Sequence, residues 1–195
     1  MKPETRFESE LVIRRGQIQD AALLAELGAR TFSETFAGDN TPENMAAYLA
    51  ASFTNEQLAG DLVDPRCIFQ IAETDGVAVG YAMLRSGALP EKVAPNAVRT
   101  EEISLAVEVA AEPSIELVRL YVSRDSLGSG IGAALMQACI DEAKHGGHQT
   151  LWLGVWEHNH RAQAFYRKWN FREVGTHLFQ LGDDPQTDLL MQRSI

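Results

Sequence analysis

The chain has 195 residues, 45% hydrophobic and 23% charged: enough for one globular domain spanning 1–195 with its own core, and too few for two. Its 27 acidic residues outnumber 17 Lys and Arg, and the formal charge of −10 repels nucleic acid, favours cationic partners and also serves solubility. Residues 1–10 are polar, without the apolar run of a signal peptide, and no stretch is long enough to span a bilayer, so a cytoplasmic protein with no membrane partner is expected.

A short strand is expected over 11–15. Asp20 can cap a helix running through Leu23, Leu24 and Leu27 towards Phe32 and Phe36, broken by Gly38-Asp39-Asn40. Thr41, with Pro42 at the first helical position, caps a second helix whose Met45 and Leu49 face inward. Thr54 with Gln57 caps a third, which ends before Pro65. Strands over 67–73 and 77–84 flank Thr74-Asp75-Gly76, a hairpin signal. Residues 87–112 carry prolines, alanines and charges without a clean period and read as a surface excursion. Cys67 and Cys139 have no CxxC neighbour and read as small buried hydrophobes.

The last third changes character. An apolar strand over 115–122 precedes a helix over 130–145, with Ile131, Leu135, Cys139 and Ala143 along one face. Gly146-Gly147 ends that helix, and a second apolar strand covers 150–156. Asn159 caps a helix carrying Ala162, Phe165 and Tyr166. A strand opens at Gly175-Thr176-His177, runs through Leu181, turns at Gly182-Asp183-Asp184-Pro185 and returns over 186–191. Strand, helix, strand, helix and a closing hairpin imply an α/β fold, a mixed sheet with helices on both faces.

Leu127-Gly128-Ser129-Gly130-Ile131-Gly132 lies between a strand and a helix. Glycines allow positive backbone angles and close approach, and a helix start leaves N–H groups unpaired at the positive end of its dipole. Together these suit a diphosphate, with Arg124 the one cation within the loop. A glycine turn that merely lets strand and helix pack closely is the bland alternative. A Walker loop is excluded, because no Gly-Lys-Ser/Thr follows. Gly128, Gly130 and Ala133 fit a loose dinucleotide fingerprint, with Glu157 as the ribose acid. Against it, residues 123–127 separate strand from glycine, the chain after Glu157 is too short for a second half, and the motif comes late.

The turn resembles the Gln/Arg-x-x-Gly-x-Gly/Ala signature of the GNAT superfamily of acetyltransferases, with Leu127 departing from the family's Gln or Arg. A second family signature stands as Asn159, Ala162, Phe165 and Tyr166, followed by Lys168 and Phe171. Thr31-Phe32-Ser33-Glu34-Thr35-Phe36, Trp152-Leu153-Gly154-Val155-Trp156-Glu157 and the segment from Gly182 to Met191 are similar to bacterial PaiA-type polyamine acetyltransferases. The resemblance implies a mostly antiparallel mixed sheet splayed between two parallel strands, here 115–122 and 150–156. It implies acetyl-CoA as cosubstrate, its pantetheine arm paired with Leu120, Tyr121 and Val122. Leu127, Gly128, Ser129, Gly130, Ile131, Gly132 and Ala133 would hold the diphosphate, and Asn159, Ala162, Phe165 and Tyr166 would line the other wall.

The implied reaction is direct attack of a neutral amine on the thioester. An alkylammonium of pKa about 10 must lose a proton, and the departing thiolate, from a thiol of pKa roughly 8.5, gains one. Tyr166 matches the family's proton donor; a buried aromatic beside Phe165 is its plainer reading. Glu116 is the candidate base, or else an ordinary strand-end acid. Glu34, Asp183, Asp184 and Asp188 could bind a cationic acceptor, although Asp183-Asp184 is also a good turn sequence. His158 and His160 flank Asn159 without a third ligand at suitable spacing, so no metal is expected. A polyamine such as spermidine is the first-choice acceptor; an amino acid, aminoglycoside or protein amine, and a non-catalytic acyl-CoA sensor, stay open. So does a homodimer through the apolar terminal hairpin.

Overall fold

The computed structural model describes residues 10–89 and 113–195. The expected excursion over 87–112 therefore falls almost wholly outside the described residues.

The first helices form where their caps say they should. Thr41 Oγ1 accepts from Asn44 N–H at 3.3 Å to start α2 (Pro42–Ser52), and Thr54 Oγ1 accepts from Gln57 N–H at 3.1 Å to start α3 (Asn55–Val63). Asp20 behaves differently. It precedes α1 (Ala21–Phe36), but its side chain makes no cap bond to that helix. Its two oxygens instead accept from both terminal nitrogens of Arg14 at 2.8 and 2.9 Å, while Arg14 Nε donates to Glu73 at 2.8 Å. Arg14 belongs to β1 (Leu11–Arg15) and Glu73 to β2 (Cys67–Thr74), so the pair fastens α1 to the edge of the sheet.

This pairing makes stability depend on acid. Bonding to Arg14 holds the Asp20 carboxyl below the ordinary aspartate range, against a smaller opposing effect of burial. A depressed folded pKa contributes stability that is complete above about pH 4 and is lost as pH falls through the folded value. Arg14→Gln should cost about 2 kcal/mol at neutral pH, because the Asp20 side chain is only 10% exposed and would be left buried without its partner. Urea melts against pH check this: the deficit should shrink towards zero in strong acid.

β2 turns into β3 (Val77–Ser86) through Asp75 and Gly76, both at positive φ (52° and 78°), the geometry of a tight two-residue hairpin. β4 (Ser114–Val122) adds antiparallel to β3, and β5 (Thr150–Trp156) adds parallel to β4. The terminal hairpin of β6 (Arg172–Leu181) and β7 (Asp184–Ser194) completes a seven-stranded sheet ordered β1-β2-β3-β4-β5-β7-β6. Both hairpin strands are longer than the sequence suggests. Only Gly182 and Asp183 separate them, and Pro185 pairs with Gln180 outside the stretch of β7 that β5 covers, so its missing N–H removes no bond there.

Helices lie on both faces. α1 and α3 bury Leu24, Leu27 and Leu58 against Phe69, Ile71, Tyr81 and Met83. On the other face α4 (Ile131–His145) sets Leu135, Met136, Cys139 and Ile140 on Leu84, Leu117 and Leu151. Fully buried leucines of this kind each contribute about 1.5–3 kcal/mol. Both cysteines are buried and free.

The feature that makes the site is a break in the ladder. β4 pairs with β5 over three positions only, from Ser114 opposite Thr150 to Glu116 opposite Trp152. Just beyond, Leu84 faces Leu117 but Met83 faces Arg119, so Val118 is an extra residue in β4. Such a bulge bends its strand and sharpens the local twist. β4 follows β3 to Val122 while β5 follows β7 to Trp156, and the sheet opens between them.

Candidate active site

A cavity of about 1010 Å³ passes through that opening. Gly128, Gly130, Gly132 and Ala133 line one end, Tyr166 and Phe165 one wall, and Glu116, Tyr48, His177 and Asp188 the other end.

Gly128 and Gly130 both stand in the left-handed region, at φ +84° and +90°, which a side chain would strain. Gly130 is the N-cap of α4 and offers no side chain to it. The first intrahelical bond runs from Ala134 N–H to the Gly130 carbonyl at 3.0 Å, so the amides of Ile131, Gly132 and Ala133 have no helical partner. A Cβ built at Gly128 or Gly130 would meet nothing within 4 Å, so there is open space over these donors. Unpaired amides, a helix dipole and room above them fit a diphosphate. Arg124 N–H donates to Glu34 Oε2 at 3.1 Å, and the Arg124 guanidinium donates to the Glu34 carbonyl at 2.7 Å. Glu34 thus moors the loop to α1.

α5 (His160–Lys168) carries Tyr166. Asn159 Oδ1 caps it by accepting from Ala162 N–H at 3.1 Å. Buried Gln163 donates to the carbonyls of Trp156 and Glu157 at 3.2 and 2.8 Å, fixing the helix to the end of β5. Tyr166 keeps some exposed surface, but burial around its hydroxyl raises its pKa well above that of an ordinary phenol, with nearby Cys139 adding to the effect.

Glu116 ends the paired part of β4. Burial pushes its carboxyl above the usual range, and the charges of Arg85 and His177 oppose this more weakly. Around this end stand Phe32, Phe36, Tyr48, Trp156 and Phe179, with Tyr48 and Phe179 rings 5.3 Å apart and Phe36 and Trp156 rings 6.1 Å apart. Arg119 also borders it, its guanidinium donating to the Ser52 carbonyl at 3.1 Å and lying 4.7 Å over the Phe53 ring.

The sequence profile of the Acetyltransferase (GNAT) family matches residues 29–171. The chain belongs to this acetyltransferase family. It is 31% identical over 170 residues to an uncharacterised N-acetyltransferase of Lactobacillus delbrueckii subsp. lactis, covering 87% of this chain and 88% of that one. To an uncharacterised N-acetyltransferase of Mycobacterium bovis it is 34% identical over 176 residues, covering 90% and 98%. In fold it resembles the crystal structure of the PaiA N-acetyltransferase of Thermoplasma acidophilum in complex with coenzyme A, at a TM-score of 0.72 and 20% identity over 95% of this chain and 99% of that one. The protein is an N-acetyltransferase with acetyl-CoA as cosubstrate, and its splayed mixed sheet is that of the family.

Most of the residues expected for this acetyltransferase come together. Leu120, Tyr121, Val122, Leu127, Gly128, Gly130, Gly132, Ala133, Asn159, Ala162, Phe165, Tyr166 and Glu116 all line the one cavity. Two do not. Ile131 turns its side chain into the core at 5% exposure, so only its amide faces the turn, and Ser129 bonds back to the Ser126 carbonyl at 2.6 Å. Asp183 and Asp184 serve the hairpin turn and lie outside the cavity, whereas Asp188 lies in it. His158 and His160 are exposed and lie outside it. Among the described residues no group of three His, Cys, Asp or Glu side chains could hold a metal ion, and no helix is long and apolar enough to cross a membrane. Sequence reading passed over His177, Gly154 and Arg119, which the strand register brings to the Glu116 end of the cavity.

Proposed function

We propose that the whole chain, 1–195, is one acetyltransferase domain that moves an acetyl group from acetyl-CoA to a primary amine of a small cationic acceptor, with a polyamine such as spermidine first. The observation that carries this is one cavity with two chemically different ends on either side of the split sheet. Unpaired amides at Gly130 suit a diphosphate, and carboxylates Glu116 and Asp188 within an aromatic wall suit an alkylammonium. Arg119 borders the same end: its guanidinium donates to the Ser52 carbonyl and lies over the Phe53 ring, while Nη1 has no hydrogen-bond partner among the described residues, so the two carboxylates also offset its charge. The resemblance of residues 31–36, 152–157 and 182–191 to PaiA-type polyamine acetyltransferases points the same way.

The residues divide the work by position. Ile131, Gly132 and Ala133 amides hold the diphosphate. Among the described residues, the edge of β4 beyond Glu116 that turns towards β5 has no partner strand, so main-chain groups of Leu120, Tyr121 and Val122 can pair with pantetheine amides as an added strand would. Asn159, Ala162 and Phe165 form the opposite wall. Tyr166 packs with the α4 side of the sheet, and Glu116 shares the other face with its partner Trp152. Acid and carboxylate therefore approach the thioester from opposite faces. Glu116 draws in the ammonium and can take its proton; Tyr166 protonates the leaving sulfur.

The test is thiol release from acetyl-CoA with spermidine, an amino acid, an aminoglycoside and a peptide amine. Release with spermidine above the others is expected. Release with another amine alone would overturn the acceptor, and tight acetyl-CoA binding without release from any amine would make the protein a sensor.

A further inference from the structure

The acceptor end holds an ionisable pair, of which the roles above use only the charge of Asp188 and leave His177 without one. His177 and Asp188 are registered partners across the β6–β7 ladder. His177 Nε2 stands 3.6 Å from Asp188 Oδ2 and has no hydrogen-bond partner among the described residues. The Asp188 side chain is 13% exposed and the His177 side chain 31%, so the carboxylate is sheltered while the imidazole keeps access to the cavity.

A missing side chain makes room for the pair. Gly154 of β5 lies opposite Leu190 of β7, and a Cβ there would stand 2.7 Å from His177 Nε2 and 3.1 Å from Asp188 Oδ2. Only glycine lets the imidazole lie across β5 at this point. Gly154 is two residues past Trp152, where β4 and β5 stop pairing, and strand alternation puts both on one face. Glu116, partner of Trp152, shares that face. The imidazole thus sits at the mouth of the opening, on the face opposite Tyr166.

We infer that His177, in place of Glu116, is the general base that takes the proton of the acceptor amine, with Asp188 as its positioning residue and Glu116 kept to binding the ammonium. This rests on the acetyl-transfer reading above. An ordinary imidazole lies about two pKa units nearer an alkylammonium than an ordinary carboxylate does, so it is the better acceptor near neutral pH. With its own proton on Nε2 towards Asp188, neutral His177 accepts a proton from R–NH3+ at Nδ1. The freed pair forms the C–N bond, and the carbonyl π pair moves to oxygen. Its return breaks the C–S bond; sulfur keeps that pair and takes the Tyr166 proton. The second proton lost by nitrogen restores Tyr166, and the imidazolium gives its proton to solvent. The sum is ammonium plus thioester to amide, thiol and one proton. The charged and titratable groups around this end are Glu116 and Arg119 on β4, Arg85 on β3, Tyr48 on α2 and Asp188 on β7.

The experiment measures kcat and kcat/KM against pH with acetyl-CoA and the best amine of the panel, spermidine first, for wild type, His177→Gln, His177→Ala, Asp188→Asn and Glu116→Gln. His177→Gln should lower kcat about 100-fold and remove the acidic limb of the profile, with the acetyl-CoA thermal shift unchanged. Free imidazole should restore part of the His177→Ala rate, which a merely structural role would not allow. Asp188→Asn should lose less, and Glu116→Gln should act chiefly on the KM for the amine. A His177→Gln enzyme with wild-type kcat and pH profile, or a His177→Ala enzyme deaf to imidazole, overturns the inference and leaves acetyl transfer standing. Wild type that releases thiol with no amine overturns the parent reading, and this one with it.

Discussion

Tyr166→Phe should lower kcat about 100-fold while acetyl-CoA raises the melting temperature of the variant as much as that of wild type. The substitution removes one oxygen and keeps the ring, so packing against Phe165 and Phe171, at 5.5 and 5.7 Å between centroids, survives. What is lost is the hydroxyl. Burial keeps it protonated far into alkali, so it stays a donor throughout the working range. A donor so weakly acidic cannot surrender its proton to a thiolate for good. It bonds to the sulfur as charge gathers there, and the proton shed by the amine refills it. The loss should therefore fall on kcat and not on binding. Steady-state kinetics beside a thermal-shift titration separates the two, and full activity in Tyr166→Phe would remove the tyrosine from the reaction.

Gly130→Val should weaken acetyl-CoA binding about 100-fold, read by calorimetric titration. A β-branched residue is strained at φ +90°, by at least the 1–2 kcal/mol of an ordinary side chain there. Instead of holding that strain, the turn should relax to negative φ and swing the amides of Ile131 and Gly132 off the diphosphate. Each charge-assisted bond lost costs about 1.5–3 kcal/mol, so two misdirected donors suffice for two decades of affinity. Space is not the obstacle, since a Cβ there meets nothing within 4 Å. Unchanged affinity would mean that the diphosphate does not bind at this helix start.

The contrast between Gly130 and Gly154 shows what the sequence could disclose. The turn at Gly130 was legible because its geometry is local: strand, glycine turn and helix start lie within one short run. The caps Thr41, Thr54 and Asn159 were legible for the same reason, since each acts on an amide three residues on. Gly154 sits in an apolar strand and looks like any weak point in it. Its meaning depends on His177 and Asp188, which reach it only through the register of two other strands. Asp20 misled for a related reason: a good capping residue was claimed by Arg14, six positions away in sequence but across the first turn in space. The bulge at Val118 left no trace either, because an extra residue in a strand shows only against its partner.

Among the described residues, three residue pairs between Ser114–Glu116 and Thr150–Trp152, with the bond from Gln149 N–H to the Pro113 carbonyl just before them, form a short main-chain seam joining β1–β4 to β5–β7. Beyond the seam the halves meet through side chains, chiefly those under α4. A molecule threaded into the gap closes the seam from within, like a zip drawn further up. On the proposed reading acetyl-CoA occupies that place and is part of the architecture as well as a reactant: cohesion of the two half-sheets should then track its occupancy, and the free protein should breathe most along the gap.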